Sequence, residues 1–171
     1  MLSQVKDIFA KLPENFRNQL FFSSWSFLNV PMIFWVRPKV LSITADRTEV
    51  LIPLRRKTKN HLKSMYFGVL CTGADVAGGV LASRLISESG KNVSLAFKDF
   101  KADYKKLALA DVVFRCNDGK AIQELLERVL SSNERMNQTV KVDAYCPDID
   151  PEEIVAEFEL TLSLRNKSPI N

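Results

Sequence analysis

Histidine is nearly missing from this chain: His61 is the single example in 171 residues. Cysteine is scarce and odd in number, with Cys71, Cys116 and Cys146 at no metal-ligand spacing. A Cys/His zinc site is therefore all but excluded, and no metal site is expected. A disulfide framework is not expected either, and a reducing cytoplasm is the simplest compartment. The start of the chain lacks the uninterrupted apolar run of a secretory signal, because Lys6, Asp7 and Lys11 break it. The apolar stretch from Leu20 to Val36 contains Ser23, Ser24, Ser26, Asn29 and Pro31, which argue against a membrane span. Internal repeats, low-complexity segments and linkers are also missing.

What is present describes a globular domain. Hydrophobic residues make up 46% and charged residues 26%, in a length that suits one domain with a real core. The net charge of +4 would suit an anionic partner, but no nucleic-acid motif accompanies it.

Residues 3–12 read as a short amphipathic helix on Val5, Ile8, Phe9 and Leu12. Pro13 suits the first turn of a second helix, with Phe16, Leu20 and Phe21 on its apolar face. Pro31 and Pro38 punctuate an aromatic connection holding Trp25, Phe27, Phe34 and Trp35. Val40–Thr44 and Thr48–Leu54 form a hairpin around Ala45, Asp46 and Arg47. After Gly90 the period becomes two, and a change of phase between Phe97 and Phe100 predicts a bulge near Asp99. Asp111–Cys116 is a strand and Asn117–Asp118–Gly119 a turn. A helix follows at about 120–132, then alternating strands over Thr139–Tyr145 and Ala156–Leu164.

The most informative segment is a helix at about 65–87, for which Ser64 is the expected N-cap. From Met65 to Ile86 only Asp75 and Arg84 carry charge. A helix that is apolar nearly all round is enclosed. The fold class is therefore α+β, with an antiparallel sheet wrapped around this helix. The single domain spans 1–171, with an N-terminal helical extension over 1–37 and a core over 38–165. An ionised carboxylate at Asp75 costs several kcal/mol unless it is paired. It is either a structural group, bonded to Arg84, Lys63 or a second subunit, or a general base whose pKa burial raises.

The spacing around Asp75 resembles the motif of hot-dog-fold acyl-CoA thioesterases of the phenylacetate-pathway type. That motif is an Asn, five residues, His-Gly-Gly, six residues and an acidic residue. Asn60 stands at the Asn, Tyr66-Phe67-Gly68 at the His-Gly-Gly, and Asp75 at the acid. The chain is closer still to a thioesterase-like branch known as a domain of unknown function, which it resembles at Val50–His61, Lys98–Tyr104 and Phe158–Ser163. The likeness covers roughly residues 36–165.

The resemblance implies a hot-dog fold and hydrolysis of an acyl-CoA or acyl-carrier thioester, with coenzyme A entering as part of the substrate and no cofactor. Asp75 would be base or nucleophile, and Asn60 would orient the thioester or the water. Backbone N–H groups near Gly68 would hold the oxyanion. The superfamily builds its site across a homodimer or a dimer of dimers. The chain departs from the motif where Tyr66 replaces the histidine, Phe67 the first glycine and Lys63 another frequent glycine, changes that narrow the entrance.

Two other readings stand beside hydrolysis. Tyr66 and Phe67 would suit a non-catalytic module that binds acyl thioesters or lipids. His61, fourteen residues before Asp75, has the spacing used by hot-dog hydroxyacyl dehydratases, though their surrounding motifs are missing. It is otherwise a substrate contact or an ordinary loop histidine. Arg56, with Arg55, Lys57, Lys59 and Lys63, would bind the phosphates of coenzyme A or form a solvated edge strand. The 120–132 helix is a lid or a cover for the sheet, and the aromatic cluster at 25–35 an acyl tunnel or core.

Overall fold

The computed structural model describes residues 14–168; the helix expected over 3–12 and the residue Pro13 lie outside them. In chain order the described elements are α1 (Glu14–Asn29), α2 (Pro31–Val36), β1 (Lys39–Ile43), β2 (Thr48–Ile52), α3 (Phe67–Ser89), β3 (Val93–Tyr104), β4 (Val112–Cys116), α4 (Gly119–Leu130), β5 (Arg135–Cys146) and β6 (Asp150–Asn166). The strands form one antiparallel sheet of six, in the order β1-β2-β4-β5-β6-β3.

The sheet curls around α3, which packs against β2, β3, β4, β5 and β6. Alternation delivers Val50, Ile52, Phe114, Val140, Val142, Phe158, Leu160, Leu162 and Leu164 to the inner face, where all are buried against Ala74, Ala77 and Leu81 of the helix. Each large side chain so buried contributes roughly 1.5–3 kcal/mol. This is the hot-dog arrangement expected from the sequence. On the other face, Arg115 donates from Nε to Glu49 at 2.8 Å and from Nη2 to the Tyr145 hydroxyl at 2.7 Å, joining β2, β4 and β5.

The bulge near Asp99 is present: Phe97 pairs with Leu162 and Phe100 with Leu160, so β3 carries one residue more than its partner over that step. Both phenylalanines thereby reach the inner side, Phe100 meeting Phe158 at 5.7 Å between ring centroids.

Four details differ from expectation. Ser64 does not cap α3. Met65 donates to Ala108 O (2.8 Å) and Tyr66 to Thr58 O (2.8 Å), which holds both residues extended and delays the helix to Phe67. The aromatic stretch around Pro31 is not an open connection, because Pro31 sits at the start of α2 and opens it. Arg55–Lys63 is a looped segment, not an edge strand: the Thr58 hydroxyl folds back on Pro53 O and accepts from Arg55 N–H, both at 2.8 Å. Asn117–Gly119 leads straight into α4, whose first residue donates to Asp46 O at 3.0 Å.

Candidate functional site

Among the described elements helix α3 packs against five of the six strands, so a polar group on it meets the interior. Asp75 is that group. Its carboxylate is mostly buried, and burial raises its pKa from 3.8 to about 6. Among the described residues no donor or cation lies within bonding distance of it. The expected partners are engaged or distant: Arg84 Nε binds Glu88 at 2.8 Å, and Lys63 is exposed in the loop before the helix.

Asp75 stands in the wall of a cavity of about 950 Å³. Below it the cavity is walled by Val76, Gly79 and Val80 of α3, and beside it by Leu95 and Phe97 of β3. Phe22, Trp25, Val30 and Ile33 of the N-terminal helices and their junction form the roof. Ser83, Ser87 and the Arg84–Glu88 pair give one end a polar mouth. Gln19 fixes the roof to the sheet, accepting from Val40 N–H at 2.9 Å and donating to Pro38 O at 3.1 Å. The cavity is within the size range of ligand pockets, roughly 300–1,000 Å³, and like them is mainly apolar with a few polar groups.

A second feature lies at the helix N-terminus. Tyr66, the N-cap, is extended and makes no side-chain cap bond. Tyr66 O accepts from Val69 and Leu70 N–H, leaving the N–H groups of Phe67 and Gly68 without an acceptor among the described residues. Two free donors at the positive end of a long helix suit an oxyanion. The Tyr66 ring leans over Gly68 so closely that a Cβ there would lie 2.7 Å from Cε1. Tyr66 and Phe67 are themselves exposed, with ring centroids 4.7 Å apart.

The candidate residues do not converge within one chain. Gly68 precedes Asp75 by seven residues, about 10 Å along the helix axis, and is not part of the cavity wall. Asn60 is occupied by its own loop: Nδ2 donates to Ser64 Oγ at 2.9 Å, and Oδ1 accepts from Leu62 N–H at 2.9 Å and Ser64 N–H at 3.2 Å. His61 is exposed on the same loop, away from the wall that holds Asp75. Arg56 lines a separate cleft of about 220 Å³ with Arg37, Arg55 and Lys57.

Of the four aromatics read as a tunnel, Trp25 reaches the cavity; Phe27, Phe34 and Trp35 point elsewhere. Helix α4 is not a lid: Ile122, Leu125, Leu126 and Val129 are buried in the core. The part of the site that sequence reasoning missed is β3, whose period-two pattern could have named Leu95 and Phe97 as facing α3. Burial raises the thiols of Cys116 and Cys146, Cys116 being pushed up to about 11, which keeps both as unreactive thiols. Among the described residues no group of His, Cys, Asp or Glu is placed to hold a metal ion.

The family model described as "Domain of unknown function (DUF4442)" matches residues 18–164. No curated protein matches the chain. Several solved structures share its fold. A protein of unknown function from Chlorobaculum tepidum superposes with a TM-score of 0.75 at 12% identity, over 88% of this chain and 96% of that one. A thioesterase family protein from Silicibacter pomeroyi gives 0.63 at 19% identity, over 86% and 98%. A thioesterase from Haemophilus influenzae gives 0.62 at 15% identity, over 82% and 87%.

Proposed function

We propose that this chain, which belongs to the DUF4442 family, hydrolyses thioesters of apolar acyl groups carried by coenzyme A or an acyl carrier. The observation that carries the reading is Asp75: an unpaired carboxylate, poised at about pH 6 by burial, in the wall of an apolar cavity large enough for an acyl chain. A carboxylate poised near neutrality is largely ionised at pH 7 and basic enough to take a proton from water. The fold shared with thioesterases from other organisms supports the same class.

In this scheme Asp75 removes a proton from water as its oxygen bonds to the thioester carbon. The carbonyl electron pair moves to oxygen, where the N–H groups of Phe67 and Gly68 receive it. Collapse expels the thiolate, which takes the proton from Asp75; the products are a carboxylic acid and a free thiol. Water is the only co-reactant. Direct attack by Asp75 would instead give a mixed anhydride that water then opens. Asn60 holds the loop that presents Tyr66 and Phe67; Arg56 and His61, which do not line the Asp75 cavity of their own chain, would reach the substrate only where a second protomer brings this loop to it.

In this scheme the carboxylate and the donors come from different protomers, a reading that their separation along α3 supports. An open sheet edge supports this. Among the described residues the twelve-residue strand β3 pairs with β6 alone, so its other edge would offer backbone groups to a second copy. Its first half, with Val93, Leu95, Ala96 and Phe97, walls the Asp75 cavity. A homodimer joined there, working in the cytoplasm, completes the proposal.

The test is a set of short, long and aromatic acyl-CoA thioesters, assayed for free thiol with wild type and Asp75→Asn. Hydrolysis that falls at least a hundredfold in a folded variant is the expected result; undiminished hydrolysis would remove Asp75 from the mechanism. The stacking of Tyr66 over Gly68 favours one second reading, a module that binds acyl thioesters without cleaving them. Ligand retained intact for hours would establish it.

A further inference from the structure

The N-terminal helices have two apolar faces. The inner one, with Phe22, Ile33 and Val36, is buried in the core. The outer one is not covered by any described residue: Leu28 is 77% exposed, Met32 63%, Trp35 59% and Phe27 58%. Phe27 and Phe34 meet edge-on at 5.1 Å, which joins the end of α1 to α2 and makes one continuous patch. Isolated exposed apolar residues need no explanation, but a contiguous aromatic and aliphatic group in so short a stretch does.

The chemistry beside the patch indicates what covers it. Lys57 Nζ lies 4.0 Å from the centre of the Trp35 ring. The cleft around Trp35 is lined by Arg37, Arg55, Arg56 and Lys57 and by no acidic residue. Among the described residues none of these four cations forms an ion pair. Unpaired cations around a tryptophan, next to exposed leucine, methionine and phenylalanine, match a bilayer interface: aromatics at headgroup depth, alkyl groups below, cations on the phosphates. A protein partner would need its own acidic and apolar groups in that same order; an anionic bilayer supplies both everywhere.

We infer that the outer face of α1–α2, with the Arg37–Arg55–Arg56–Lys57 cleft, docks the protein peripherally on anionic lipid bilayers. The docking does not cross the membrane. Among the described residues α3 alone is long and apolar enough to do so, and it is the core helix. The inference does not depend on the hydrolytic reading, although it would set the roof of the Asp75 cavity against the source of a lipid-derived acyl group.

The experiment is partition of the full chain onto phosphatidylcholine vesicles with and without about 30% phosphatidylserine. The Trp25→Phe variant is included because it leaves Trp35 as sole fluorescent reporter. Expected are at least tenfold tighter binding to the anionic vesicles, weakening in high salt, and a blue shift of Trp35. Two variants, Phe27→Ser/Leu28→Ser/Met32→Ser and Arg55→Glu/Lys57→Glu, should each lose tenfold or more. All five positions are exposed, so both variants should keep the wild-type thermal midpoint, which is measured alongside. No preference for anionic vesicles, or binding that survives both variants, overturns the inference. So does a triple variant that dissociates into monomers without changing vesicle binding, since the patch would then be a subunit contact.

Discussion

Asp75 is costly to the fold as well as central to the proposed chemistry, and the two effects can be separated by pH. Its folded pKa of about 6 lies above its ordinary value of 3.8, so the folded state binds the proton more tightly. The cost is absent while both states are protonated, grows as pH rises from about 4 to about 6, and is constant above that at about 3 kcal/mol. Asp75→Asn should therefore raise stability by up to about 3 kcal/mol at pH 7.5 and leave it unchanged at pH 3.5, read from urea midpoints at the two pH values. A gain that does not depend on pH would mean that the carboxylate is not strained by burial. In wild type, hydrolysis should rise through pH 6 and then level off, because the base must be ionised. Asp75 was legible from sequence as a lone acid in an apolar helix. Its lack of a partner was not, since that depends on where Arg84 and Lys63 point. Asn60 shows the opposite case: the motif spacing marks it as catalytic, while its amide hydrogen bonds are spent on Leu62 and Ser64.

At the scale of elements, α3 carries both the packing and the donors. Gly73 faces Phe114 so closely that a Cβ would lie 2.3 Å from the ring. Gly73→Ala should cost about 1–3 kcal/mol by overpacking, and Phe114→Leu in the same chain should recover part of it; equilibrium unfolding measures both. The first turn gives a cleaner probe of chemistry. Phe67 is the first helical residue and its N–H has no internal acceptor, so proline fits there without breaking a helix bond. Tyr66 is at φ −65°, ψ 136°, the extended conformation that a following proline favours. Phe67→Pro should keep the fold and lower the turnover rate about a hundredfold, as loss of one oxyanion donor does. Unchanged turnover would place the oxyanion elsewhere. The elements themselves were largely legible, because periods of two and 3.6 are strong in β6 and α4. The start of α3 was not, since it is set by Met65 bonding to Ala108, forty-three residues away. No local pattern records such a contact.

For the whole molecule, the sequence names candidate residues but not how they assemble: of the motif residues, Asp75 alone lines the cavity. The order of the strands bears on the proposed sharing of the site between protomers. With β3 at an open edge and Asp75 behind it, a second copy is the natural source of the missing donors. This leads to a complementation test. Asp75→Asn lacks the base but keeps its donors; Phe67→Pro lacks a donor but keeps its base. Each homodimer should be nearly inactive. In a mixed dimer, isolated with two different affinity tags, one site joins the intact Asp75 of one protomer to the intact helix N-terminus of the other. The second site carries both lesions. Mixed dimers should therefore recover about half of the wild-type rate, because one of two symmetric sites is restored. Were base and donors to act within a single chain, each site of the mixed dimer would still carry a lesion and no activity would return. Recovery would thus establish the shared site and the β3-edge dimer behind it, while a silent mixed dimer would require Asp75 to find its oxyanion donors within its own protomer.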